Sequence, residues 1–202
     1  MIEKEEIMRI LSDEYSDVYL PKDKLPDPYV EDVNEVKAII LGCDPSNNSG
    51  DVFNTAFGLD QGLKYFRGIN SNVKRIGLDK SKIYVDNVCK NYFKTETYDN
   101  KNKWLEVANR LWIENLKEEL NEVLPLEVPV LATSEIILQV LCYGGIYNKS
   151  MNENYYRRCT YINGTENKLG RKIIPFFRHY KYSLDKWDGY KDFVKNIVQT
   201  AI

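Results

Sequence analysis

Asp44 stands where an apolar run, residues 36–41, empties through Gly42 and Cys43 into a polar stretch. A core strand ending this way delivers its next carboxylate to the carboxyl edge of a sheet, the edge at which α/β proteins hold ligands. The chain then stays polar as far as Ala56 and Phe57, longer than a plain connection requires, as expected of a loop that carries a site. Asn87 interrupts a second β-rich run, KIYVDNVC, with an amide that offers one donor group and one acceptor and needs partners if buried. His179, the only histidine, follows the apolar run KIIPFF. A carboxylate, an amide and an imidazole brought to one sheet edge form a set able to bind a polar ligand and manage charge. Taken singly, each has a plainer use: Asp44 as a turn or cap before Pro45, Phe57 as core, Asn87 as a strand-end turn, His179 as a solvated ring.

The elements that must position these residues are legible from periodicity. Residues 3–16 carry Ile7, Ile10, Leu11 and Tyr15 on one helical stripe. Three prolines between 21 and 28 impose an extended connector. A first strand is expected over 36–41, a helix within 60–76 with Leu63, Phe66 and Ile69 inward, and a second strand over 82–89. Trp104, Val107, Leu111, Ile113, Leu116 and Leu120 predict a helix over 103–122. A short strand at 128–132 leads into a helix over 135–142, capped by Thr133 or Ser134 and ended by Gly144 and Gly145. Residues 146–172 read as an excursion or hairpin around CTYIN, followed by a strand over 172–177 and a closing helix from 184 or 187 to 198. Strands alternating with helices imply an α/β fold: one three-layer α/β/α domain whose central, mainly parallel sheet has about four strands. Residues 1–35 form its N-terminal helix and connector, and 36–202 its core.

Composition narrows the functional classes. The 202 residues are 43% apolar, enough for one sizeable core. No apolar run approaches the roughly 20 residues of a membrane span and no signal pattern opens the chain, so a cytoplasmic protein without membrane partners is expected. The net charge of −2 argues against electrostatic coating of nucleic acid. Lys168, Arg171, Lys172, Arg178, Lys181, Lys186, Lys191 and Lys195 nevertheless cluster late in the chain, as one basic face or as ordinary solvated surface. Cys43, Cys89, Cys142 and Cys159 lie far apart with no CxxC pair, which suggests reduced thiols and no zinc knuckle.

The ordered set GCDP at 42–45, AF at 56–57, YVDNVCK at 84–90 and RHYKYSL at 178–184 resembles the uracil-DNA glycosylase superfamily, and LKEELNEVLPLEVPVLATS resembles a helix and strand of its iron–sulfur branch. The resemblance spans about residues 36–195. It implies a uracil-DNA glycosylase-like fold in which Asp44 orients water and stabilises positive charge on the deoxyribose. It also implies that Phe57 stacks on a flipped base, that Asn87 reads the pyrimidine edge and that Cys43 lies beside the base. His179 would hydrogen-bond the leaving base, Arg178, Lys181 and Lys186 would hold phosphates, and Tyr182 or Leu184 would fill the space of the extruded base. Ser46, on the DNA side, stands where stringent uracil enzymes carry a bulky tyrosine, so the gate against the thymine methyl is missing. The cysteines lack the close N-terminal pair of the iron–sulfur branch, so no cluster, metal or other cofactor is expected. The activity implied is hydrolysis of the N-glycosidic bond of uracil or a related damaged pyrimidine in DNA. A catalytically inactive nucleobase or nucleic-acid binder and a small-nucleoside hydrolase are the alternatives.

Overall fold

In the computed structural model, residues 2–45, 52–61 and 64–201 are described. In chain order they form α1 (Lys4–Glu14), β1 (Tyr19–Leu20), β2 (Ala38–Gly42), α2 (Lys64–Arg75), β3 (Ile83–Asn87), β4 (Tyr92–Phe93), α3 (Lys101–Val107), α4 (Ile113–Val123), β5 (Val130–Ala132), α5 (Glu135–Leu141), α6 (Asn152–Arg158), β6 (Ile173–Pro175) and α7 (Asp188–Thr200). β2, β3, β5 and β6 make a four-stranded parallel sheet in the order β3-β2-β5-β6, flanked by helices. Every residue of these four strands is buried, which requires cover on both faces of the sheet. The expected α/β class and strand number therefore hold.

Register fixes what the sheet presents at its carboxyl edge. Gly42 is level with Asn87, Leu41 with both Asp86 and Ala132, and Ala132 with Pro175. The strands thus end almost flush, and Asp44, Asn87, Ser134 and Arg178 all leave the same edge. The chain steps from β2 outward to β3, then returns to the opposite side of β2 for β5. That reversal opens a crevice between the ends of β2 and β5, the place where doubly wound sheets take ligands.

Several elements depart from the local pattern. The proline-rich connector is preceded by β1, which pairs antiparallel with β4, and Tyr29 exchanges two 2.9 Å backbone bonds with Val85, covering the outer edge of β3. The long predicted helix spans α3 and α4, joined by a π-type turn at Ala108–Trp112. The expected caps of α5 are not made. Ser134 occupies the N-cap position without a capping bond, and the Thr133 hydroxyl donates to Leu41 O at 2.8 Å, tying β5 to β2. Within 146–172 the main element is α6; of the β-rich CTYIN only an antiparallel bridge between Ile162 and Ile173 forms. Ile69 is buried as expected, whereas Leu63 and the side chain of Phe66 lie outside what is described. Among the described residues no helix is long and apolar enough to cross a membrane.

The late basic cluster does not form one face, because Arg171 is only 1% exposed. Its Nη2 donates to Leu120 O at 3.0 Å, Leu124 O at 2.9 Å and Asn121 Oδ1 at 2.8 Å, and its Nη1 donates to Pro125 O. The guanidinium thereby satisfies carbonyls that the last turn of α4 leaves without intrahelical partners. Its pKa is lowered by burial, but arginine stays charged across the accessible range. Arg171→Ala is expected to cost about 2–4 kcal/mol in urea unfolding, because those carbonyls stay buried and lose their donors. Arg171→Lys should recover less than half of that loss, since one ammonium cannot span the same set; full recovery by lysine would show that charge alone is needed.

Candidate active site

A cavity of about 620 Å³ opens at the crevice between β2 and β5. Cys43, Asp44, Phe57, Asn87, Ser134 and Arg178 line it, as does the loop 95–98 that follows β4. Cys43 and Ser134, one from each side of the crevice, share a hydrogen bond at Sγ–Oγ 3.1 Å. Burial and the neighbouring Asp44 push the Cys43 thiol up to about 12, so it serves as a wall and not as a nucleophile at neutral pH.

The floor of the cavity depends on a missing side chain. A Cβ on Gly42 would stand 2.5 Å from Asn87 Oδ1 and 2.5 Å from Phe57 Cζ, so the ring and the amide both occupy the space above the bare Cα. Phe57 reaches it from a backbone that phenylalanine rarely adopts, with φ +62°, followed by Gly58 at +58°. The side-chain amide of Asn87 makes no hydrogen bond to another described residue and lines the cavity, although the residue is only 3% exposed. An aromatic face beside a buried amide with open donor and acceptor suits a small planar heterocycle.

Asp44 faces the same space. The Thr97 hydroxyl donates to its Oδ1. Burial raises its pKa to about 7; the Thr97 bond and the Trp104 indole pull the value back, and Glu96 pushes it up. Trp104 Nε1 acts on Asp44 without reaching hydrogen-bond geometry and is left as a buried donor with no partner. The carboxylate is thus poised between its two protonation states near neutral pH, as acid–base and charge-stabilising groups in enzymes are.

Behind Asn87 lies a group of buried charges. Its backbone N–H donates to Asp86 Oδ1 at 2.8 Å, and the Lys90 ammonium sits 3.2 Å from Asp86 Oδ2 and hydrogen-bonds Glu119. The Asp86 contact is an ion pair outside hydrogen-bond geometry, which leaves Oδ2 without a hydrogen-bond partner. Burial works against the Lys90 charge, but Asp86 and Glu119 together hold its pKa above the usual lysine value. Burial raises Asp86 to about 6, with Lys90 partly opposing the shift. With Asp86 and Lys90 both almost wholly enclosed, this pair fixes the end of β3, and Asn87 with it.

The late segment is placed differently from the sequence expectation. His179 is exposed and lines a second cavity, of about 690 Å³, which shares Tyr98, Ser134, Glu135, Lys149 and Arg178 with the first. Its Nδ1 accepts from Lys181 N at 3.3 Å, which leaves the proton of a neutral ring on Nε2. The expected convergence therefore joins Asp44, Phe57 and Asn87 in one cavity and sets His179 in the next, with Arg178 between them. Leu184 is 2% exposed and packs in the core, so it cannot wedge into DNA. Tyr182 is half-buried against Tyr156, Lys181 pairs with Glu153, Lys186 is exposed above Tyr180, and Ser46 lies outside the described residues.

Sequence reading missed Thr97, Glu96 and Tyr98, and also the Glu135–Lys149 ion pair at the rim. The available signal was the polar run TETY straight after β4. Among the described residues no group of three histidines, cysteines or carboxylates could hold a metal ion.

Two outcomes follow. Gly42→Ala should destabilise the protein by about 1–3 kcal/mol in urea unfolding, because the Cβ displaces Phe57 or Asn87. Asp44→Asn should instead stabilise it above pH 7. The raised folded-state pKa means that the neutral carboxyl costs nothing below the unfolded value of 3.8, and the penalty for ionisation grows as pH rises to about 7. The variant should thus match wild type near pH 4 and exceed it by about 1–3 kcal/mol at pH 8, after discounting for screening; a difference that does not vary with pH would rule out the poised carboxylate. No model of a known protein family matches the chain, and no curated protein sequence is significantly similar to it.

Proposed function

We propose that this protein is a DNA glycosylase that hydrolyses the N-glycosidic bond of uracil or a related damaged pyrimidine. One observation carries the reading: a poised carboxylate, Asp44, opens into the same cavity as an aromatic ring and an amide that hydrogen-bonds no other described residue, the two packed over Gly42. In this mechanism an extruded base slides against Phe57, and Asn87 offers its carbonyl to the base N3–H and its amide to a base carbonyl. Cytosine presents the reverse pattern at one of these positions and is disfavoured. As the bond to the base breaks, its electron pair leaves with the base and the sugar carbon becomes cationic. Ionised Asp44 stabilises that charge and orients the water that adds to it, and the water's proton passes to the carboxylate or to solvent. Arg178, which lines both cavities, supplies positive charge for a phosphate, and His179 joins it where the ligand extends into the second cavity.

A second reading, a nucleobase-binding protein without turnover, is favoured by the placement of His179 outside the Asp44 cavity. The two separate on uracil-containing DNA followed by alkaline cleavage of abasic sites. Asp44→Asn should lower base release about 100-fold or more while leaving DNA binding within a few-fold of wild type. Base release by wild type should rise with pH through about 7, the value to which burial brings Asp44, and then level off. No release from any substrate by folded protein would sink the glycosylase reading. Asn87→Asp should weaken discrimination against cytosine; an unchanged base preference would remove Asn87 from the readout.

A further inference from the structure

We propose that the rim beside the cavity, carried by Tyr98, His179, Tyr180 and Tyr182, is a stacking subsite for unpaired nucleotides, so that the protein engages single-stranded DNA in preference to duplex. The inference rests on the nucleobase reading of the neighbouring cavity. Tyr98 lines both cavities yet is 87% exposed, and Tyr180 is 74% exposed with its ring 4.4 Å from that of His179. Lys186 lies 5.0 Å over the Tyr180 ring and Lys181 5.8 Å over that of Tyr182, so two of the four rings are paired with a cation.

This rim is held in place from below. Tyr156 packs on Phe177, Tyr182, Trp187 and Tyr190, its hydroxyl accepts from Phe177 N at 2.9 Å, and Trp187 Nε1 donates to Lys181 O at 3.1 Å. The segment that carries His179, Tyr180 and Tyr182 therefore stands on a fixed base, and these rings lose little freedom on binding.

Charge decides between the two forms of DNA. Two of the rim lysines are already paired, Lys181 with Glu153 at 2.6 Å and Lys149 with Glu135 at 2.8 Å, and the chain is net negative. Such a surface releases few counterions from the two phosphate rails of a duplex, whose base faces are already stacked on one another. A single strand has base faces to offer, and tyrosines accept them without regard to sequence.

The test is fluorescence anisotropy with a labelled oligothymidylate of about 16 nucleotides and with its duplex, using wild type, the Tyr98→Ala/Tyr180→Ala double variant and the corresponding double Phe variant. Wild type should bind the single strand about tenfold or more tighter than the duplex. The alanine pair should lose about tenfold or more of single-strand affinity, and the phenylalanine pair should stay within about threefold of wild type. Equal or tighter duplex binding, or an alanine pair that binds like wild type, overturns the subsite. Oligothymidylate contains no uracil, so the result does not depend on turnover. Tyrosine-dependent single-strand binding without base release from uracil DNA would refute the glycosylase reading alone, and base release with tyrosine-independent binding would refute this inference alone.

Discussion

The space above the Gly42 Cα is filled by a ring and an amide that arrive from different parts of the chain, and the carboxyl edge of the sheet is organised around that contact. Gly42 ends β2 level with Asn87 at the end of β3, so the two strands deliver a gap and an amide at the same height. Phe57 closes the arrangement by accepting a left-handed backbone, and such strain persists only where the surroundings hold it. Any side chain at position 42 would separate the aromatic face from the amide, and Asp44, two residues further on, would then face a differently shaped cavity.

Polar groups are spent freely around this contact. Asp44 is partly enclosed with a hydroxyl donor and an indole that does not complete a bond, and Asp86 is buried against Lys90 with one oxygen short of a hydrogen-bond partner. Groups of this kind weaken a fold relative to apolar packing, and here they are concentrated at one sheet edge. Arg171, by contrast, lies away from that edge and serves α4, satisfying several helix-end carbonyls with one guanidinium. Buried charge thus has two uses here: at the carboxyl edge it tunes and positions, and behind α4 it completes backbone hydrogen bonding.

The late segment shows how the excursion between α5 and β6 supports the neighbouring cavities. α6 contributes Tyr156, whose ring touches four other aromatics, and these in turn hold residues 177–187 against β6 and α7. The cluster explains why Leu184 points inward while His179 and Tyr180 remain outside. It also makes the second cavity a defined surface continuous with the first.

Much of this was legible in the sequence. The four buried strands, their alternation with helices and the 103–122 helical stripe are local patterns, because burial on both faces or on one stripe imposes a period on neighbouring residues. Asp44 and Asn87 could be placed at strand ends for the same reason, and a parallel sheet then puts them on one edge. The tertiary structure alone decided the rest. Whether Thr97 reaches Asp44, whether Ser134 caps α5 or bonds Cys43, which way Leu184 and His179 point, and that Arg171 is buried all depend on contacts between residues 6 to 91 positions apart. Periodicity reports which face of an element is covered, but not what covers it. Partner choice across a loop is set by register, crossover order and the space left by residues such as Gly42, and these exist only once the chain has closed on itself.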